Sequence, residues 1–188
     1  MIYHELTPFR VTESPCVFAL GTFDGVHKGH QAFFEKMAAS GKQKNYRMAL
    51  LVLENHPRKL LHPGAAPLEL SPDEEKIELI SQFHFDIIIH IPFTKSLASL
   101  SAEQFVEKIM AMIPVRIWWC SRDTTFGAGR RGTAEFLEKI GPAYGFRVEV
   151  VEKLHINGEP VSSSRIRDLI LEGKYDEAEK LLGRPLKE

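Results

Sequence analysis

The chain has 188 residues, 44% of them apolar and 26% charged, with a formal net charge of −1 at pH 7. That balance describes one globular domain with a sizeable core, and it excludes a disordered chain or one drawn to nucleic acid by bulk charge. No leader-like segment opens the chain, no apolar run nears the roughly 18 residues of a membrane span, and Cys16 and Cys120 lie in apolar runs, so a cytoplasmic protein with buried free thiols is expected.

Residues 16–20 form an apolar run of strand length. Gly21-Thr22-Phe23-Asp24-Gly25-Val26-His27-Lys28-Gly29-His30 follows, and then Phe33, Phe34 and Met37 at helical spacing, with Ser40-Gly41-Lys42 expected to stop that helix. Residues 47–53 are a continuous apolar strand, broken at its carboxyl end by Glu54-Asn55-His56-Pro57. Residues 61–72 read as an extended surface excursion, and Ser71-Pro72-Asp73-Glu74 as a helix start with a serine cap. A third strand is expected at 85–91. Ser101-Ala102-Glu103-Gln104 is a capping box opening a helix to about Met112, and a fourth strand follows at 115–119. The polar segment 121–132 then precedes a helix at 133–144, a fifth strand at 146–151, and a helical pair divided at Gly173. The alternation predicts an α/β fold, a parallel sheet of about five strands with helices on both faces and order 3-2-1-4-5. That order gathers the His27–His30 turn, the His56 break and the 121–132 loop at one cleft.

A glycine-rich turn between a strand and a helix start suits a polyanion. The backbone can approach closely, and unpaired helical N–H groups face the ligand. His27 and His30 can aim donors into the same pocket. The spacing Gly-x-x-x-Gly-x-x-x-Gly does not fit the dinucleotide fingerprint, and no cysteine near the histidines in sequence completes a zinc set. Val161-Ser162-Ser163-Ser164-Arg165-Ile166-Arg167 is a second phosphate-type helix start, in which Arg167 could add a bidentate contact; the plainer reading is a serine N-cap with solvated arginines. No nucleophile sits beside a base. Residue chemistry alone therefore reaches nucleotide-dependent phosphoryl or nucleotidyl transfer by direct attack of one phosphate on another.

The turn Gly-Thr-Phe-Asp-Gly-Val-His-x-Gly-His resembles the signature of the bacterial FAD synthetase (FMN adenylyltransferase) family, within the His-x-Gly-His nucleotidyltransferase superfamily. The resemblance extends in order through His56-Pro57, Pro92-Phe93-Thr94, Leu100 to Phe105, Asp123 with Phe126-Gly127, Ser162 to Arg167, and Leu181-Leu182-Gly183-Arg184-Pro185. It implies a Rossmann-like nucleotidyltransferase fold and the reaction of FMN with ATP to give FAD and pyrophosphate, with magnesium accompanying ATP. By the same resemblance His27, His30 and Arg167 would be catalytic. Gly21, Thr22, Phe23 and Gly29 would line the ATP pocket. Ser162, Ser163, Ser164 and Arg167 would hold the triphosphate, and His56, Asp123 and Phe126 would lie on the FMN side.

The chain departs from the family pattern at Ser121 and Thr124, where a glycine and an aromatic are usual, and at Asn55 and Ser164. The riboflavin kinase domain that often follows is expected to be absent, leaving residues 1–188 as a single nucleotidyltransferase domain. The altered 121–125 loop keeps two other readings open: a flavin- or nucleotide-binding regulatory module, or a nucleotidyltransferase for a different phosphorylated acceptor. Trp118, Trp119, Phe33 and Phe34 read as core. His84, His90 and His155 read as structural or exposed, and Arg130 and Arg131 as a phosphate clamp or a solvated loop.

Overall fold

A computed structural model of the chain describes residues 1–186. Strand β1 (Ile2–Tyr3) is followed by β2 (Cys16–Gly21), helix α1 (Lys28–Lys44), β3 (Arg47–Leu53), and the short α2 (Pro57–Leu61). Then come α3 (Asp73–Ser81), β4 (Ile87–Ile91), α4 (Lys95–Ala98), α5 (Ala102–Met112), β5 (Val115–Cys120), α6 (Ala134–Tyr144) and β6 (Arg147–Val150). A hairpin of β7 (His155–Ile156) and β8 (Glu159–Pro160) leads to α7 (Ser163–Leu171) and α8 (Tyr175–Leu182).

The main sheet is parallel with order β1-β4-β3-β2-β5-β6. The five expected strands stand in the expected order, and β1 adds a sixth at the edge beside β4. Two residues are too few to carry a periodic signal. The continuous apolar runs are buried because helices cover both faces, and alternate side chains feed separate cores. Val17, Ala19, Leu50, Val52 and Ile117 pack with Phe34 and Met37 of α1 and Ile80 of α3. Phe18, Leu51, Ile89 and Trp118 pack on the other side with Phe105, Val106 and Ile109 of α5 and Leu137 of α6. A smaller cluster of Leu70, Val161, Ile166, Ala178, Leu181 and Leu182 joins α7 and α8 to the segment before α3.

Several local expectations are corrected. Helix α1 runs through Ser40-Gly41-Lys42; Gly41 lies within it, where a Cβ would stand 3.2 Å from both Tyr46 O and Val17 Cγ2. The stop comes from Asn45, left-handed at φ 55°, whose N–H reaches Gly41 O and Lys42 O. Ser71 does not cap α3: Pro72 occupies the cap position, and Ser71 Oγ accepts instead from Gly25 N at 3.2 Å. The polar break at His56-Pro57 opens α2 ahead of the 61–72 excursion, with His56 as its cap and Pro57 in its first turn. The capping box at Ser101 and Gln104 forms as read. The β7–β8 hairpin turns through Asn157 and Gly158, both with positive φ, the combination a two-residue primed turn requires.

Leu50 on β3 is fully buried, whereas Leu171 at the end of α7 is 78% exposed. Leu50→Ala is expected to cost about 3–5 kcal/mol, and Leu171→Ala to stay within about 0.5 kcal/mol. Urea midpoints with unchanged m-values check both.

Candidate functional site

The site is built where the sheet changes winding direction, at the carboxyl ends of β2, β3 and β5, the usual place for ligands in open α/β sheets. Past β2 the backbone takes left-handed values at Phe23 (φ 48°), Gly25 (φ 78°) and Val26 (φ 39°). For a β-branched residue such as Val26 this conformation is strained and must be held by its surroundings.

Asp24 is central to that restraint. Its Oδ1 accepts from Leu70 N at 3.0 Å and its Oδ2 from Arg167 Nη2 at 2.5 Å, and both partners of the ion pair are about nine-tenths buried. The Asp24 carbonyl accepts from Ser163 Oγ (3.1 Å), and Arg184 Nη1 donates to Gly25 O (2.6 Å) while its Nε pairs with Glu75 Oε1. Arg167 Nε also donates to Leu68 O at 2.6 Å. The turn is thus clamped by α7, by the segment before α3, and by the chain after α8.

His27 is the N-cap of α1, its Nδ1 accepting from His30 N at 3.3 Å. For a neutral ring this leaves the proton on Nε2 as a free donor. The His27 and His30 rings stack with centroids 3.7 Å apart, and Phe23 meets His30 edge-on at 5.3 Å. Burial pushes the His27 pKa down to about 4, with the cations of Arg167, Lys153 and Arg184 adding to the effect. His30 is lowered well below its ordinary value by burial and by its neighbour His27. Its Nδ1 is buried without a hydrogen bond. Two neutral imidazoles, one with an unpartnered ring nitrogen, therefore face the helix start. Gly29 makes the stacking possible: a Cβ there would lie 3.0 Å from His27 Cε1 and 3.3 Å from Val161 O.

The other residues singled out in the sequence divide into two sets. Gly21, Thr22 and Phe23 lead into the turn, and the Phe23 ring lies over Gly21, where a Cβ would meet it at 2.9 Å. Ser162 Oγ caps α7 by accepting from Arg165 N (3.2 Å), Ser163 is tied to Asp24, and Ser164 is exposed. His56 is partly buried at the same end of the sheet; burial lowers its pKa first, and the Arg167 guanidinium contributes. Asp123 Oδ1 accepts from Ser121 Oγ (2.7 Å) and its Oδ2 from Lys153 Nζ (2.6 Å). Burial raises the Asp123 pKa, but these two hydrogen bonds outweigh it and the net direction is down.

Ser121 and Thr124 bond to one another, so the residues that depart from the family pattern build the turn presenting Asp123. Arg122, Asp123, Val151, Lys153, His155 and Pro160 are among the residues lining a cleft of about 250 Å³. Phe126 stands apart from the other residues expected on the flavin side. It is buried in the core against Phe105, Trp118 and Phe136. Arg130 and Arg131 are exposed.

Asp24, Lys153 and Arg184 were not given site roles from the sequence. Arg184 lay within a motif that carried resemblance without a role. Lys153 precedes an Asn-Gly hairpin that could have drawn attention to it. Asp24 lies inside the signature turn, but its partner is 143 residues away.

The family model for FAD synthetase matches residues 10–165. The chain belongs to the FAD synthetase family. Among curated relatives, a bifunctional riboflavin kinase/FMN adenylyltransferase of Buchnera aphidicola subsp. Schizaphis graminum is 37% identical over 89% of this chain and 54% of its own length. Proteins of the same description from Escherichia coli (30% identity, 97% of this chain, 58% of theirs) and Pseudomonas fluorescens (32%, 98%, 58%) agree. The FAD synthetase-family chain thus spans a little over half the length of these relatives. A solved structure described as a macrolide-efflux protein from Streptococcus pneumoniae superposes with TM-score 0.84 at 29% identity, over 99% of this chain and 60% of that one. A pantoate-beta-alanine ligase from Francisella tularensis shares the fold at TM-score 0.56 and 10% identity, over 96% and 85%. Among the described residues no helix is long and apolar enough to cross a membrane.

Asp24→Asn is expected to cost about 3–5 kcal/mol, because Arg167 is left buried without its counter-charge; chemical denaturation measures it. The His27 pKa lies below its ordinary 6.5, so the unfolded chain binds the proton more tightly. Its contribution to stability is complete above pH 6.5 and is lost as pH falls through about 4, a loss of about 3 kcal/mol. Melting curves from pH 7 to 4 are expected to fall less steeply for His27→Gln than for the native chain.

Proposed function

We propose that the chain transfers the adenylyl group of ATP to FMN, giving FAD and pyrophosphate. An oxygen of the FMN phosphate bonds to the α-phosphorus of ATP. The bond from that phosphorus to the α–β bridging oxygen breaks, and pyrophosphate leaves with the bridging oxygen and its electron pair. A phosphate monoester is largely a dianion at pH 7, so the nucleophile needs no base, in keeping with the lack of one in the turn.

The observation that carries this reading is the stacked neutral pair His27–His30 at the start of α1, with a ring nitrogen buried and unpartnered. A buried polar atom without a partner costs stability, and a ligand at the helix start would supply the missing partner. In this reading Nε2–H of His27 and the N–H groups opening α1 and α7 stabilise charge developing on the transferred phosphate and the leaving pyrophosphate. Gly21, Thr22, Phe23, Gly29 and Ser162 to Ser164 shape the nucleotide pocket. Arg167 orders the turn through Asp24 and sets the local field. Asp123, Lys153 and His56 take the FMN side, Lys153 offering a cation for the acceptor's phosphate.

Magnesium fits the protein side poorly. Both Asp24 oxygens are committed, and among the described residues no group of three His, Cys, Asp or Glu ligand atoms gathers at the turn. The ion belongs with the nucleotide's own phosphates, the common arrangement for magnesium.

Incubation with FMN, ATP and magnesium is expected to yield FAD and pyrophosphate in equal amounts by chromatography. No FAD, with both ligands bound, would leave a binding module; no FMN binding would leave a different acceptor. His30→Ala is expected to lower kcat on the order of 10²–10³-fold. Its melting temperature is expected to fall as well, because the ring packs on His27 and Phe23, so kcat is compared at a temperature where both chains are folded.

A further inference from the structure

We propose that His4, Glu54 and His90 bind one divalent cation of the zinc class. None of the three has a place in the reaction above. His4 follows β1, Glu54 follows β3, and His90 lies in β4, which runs between those strands in the sheet. One ligand atom from each lies within 4.8 Å of the others. Zinc bonds of about 2.0–2.2 Å bring ligand atoms to roughly 3.5 Å of one another. Closing the remaining gap takes only side-chain adjustment, most easily at the exposed His4.

A second observation points to a ligand here. His90 is 8% exposed, set among isoleucines in the run Ile87-Ile88-Ile89-His90-Ile91. Its Nε2 is buried without a hydrogen bond, with Asp73 Oδ2 2.8 Å away as an ionic partner. The His4 and His90 rings already adjoin, edge-on with centroids 5.8 Å apart.

The local charge also suits a cation. The Lys76 ammonium is buried 2.8 Å from Asp73 Oδ1, and the two charges offset one another. Lys76 Nζ also donates to the carbonyls of Leu53 (2.7 Å) and Glu54 (2.9 Å), which fixes the backbone presenting the Glu54 side chain. Glu54 then contributes the one carboxylate among the three ligands. Two imidazoles and one carboxylate suit zinc, cobalt or nickel rather than magnesium or calcium. A bound ion would tie the two-residue strand β1 to β4 and to the end of β3.

The test is titration of the full chain with Co²⁺, read by its visible d–d bands, and with Zn²⁺, read by calorimetry and melting temperature. His4→Ala and Glu54→Gln are the variants, chosen because His4 is exposed and Glu54 only partly buried. The native chain is expected to bind one equivalent, to melt higher with zinc, and to lose at least about tenfold in affinity in each variant, with the cobalt bands weakened. Absence of one-equivalent binding would overturn the proposal. So would equal affinity and unchanged bands in both variants, which would put the ion elsewhere on the chain. FAD formation enters none of these readouts, so the outcome is independent of the adenylyl-transfer reading.

Discussion

The buried pair Asp24–Arg167 is the contact on which the site depends. A turn with left-handed values at Phe23, Gly25 and Val26 does not hold itself. Asp24 offsets that strain by taking hydrogen bonds from two distant segments, and Arg167 passes the restraint on to Leu68. A buried ion pair is a weak source of net stability, because desolvation consumes most of its attraction. Here it fixes geometry. It ties α7 to the turn that opens α1.

That arrangement also explains the protonation of the site. Burial holds both imidazoles toward the neutral form, with nearby cations adding to the effect at His27 and His27 itself at His30. Arg167, Arg184 and Lys153 stand close enough to act on the His27 ring, each beside a carboxylate of its own.

Much of this was legible in the sequence, for physical reasons. Strands covered on both faces leave continuous apolar runs, so 16–20, 47–53 and 115–119 could be read and ordered. The caps at Ser101 and Ser162 were visible because a capping residue and its partner are three apart. Distant pairings were not. The bonds of Ser71 to Gly25 and of Asp24 to Arg167 leave no local spacing, and β1 is too short for a pattern. Phe126 shows a different limit: an aromatic inside the motif packs in the core, and its burial against Phe105, Trp118 and Phe136 leaves no local spacing. The hairpin at 155–160 had a readable signal in Asn157-Gly158, masked by flanking residues that do not alternate.

The meeting of two helix starts has a consequence for how the unliganded protein behaves. Gly29 in α1 lies close against Val161, just before α7, so the positive ends of two helix dipoles lie near one another. The cations around them are each held beside a carboxylate, Arg167 by Asp24, Arg184 by Glu75 and Lys153 by Asp123. An anion that met both helix starts would stabilise the folded chain by mass action, so phosphate or sulfate in a buffer is not an inert choice for this fold.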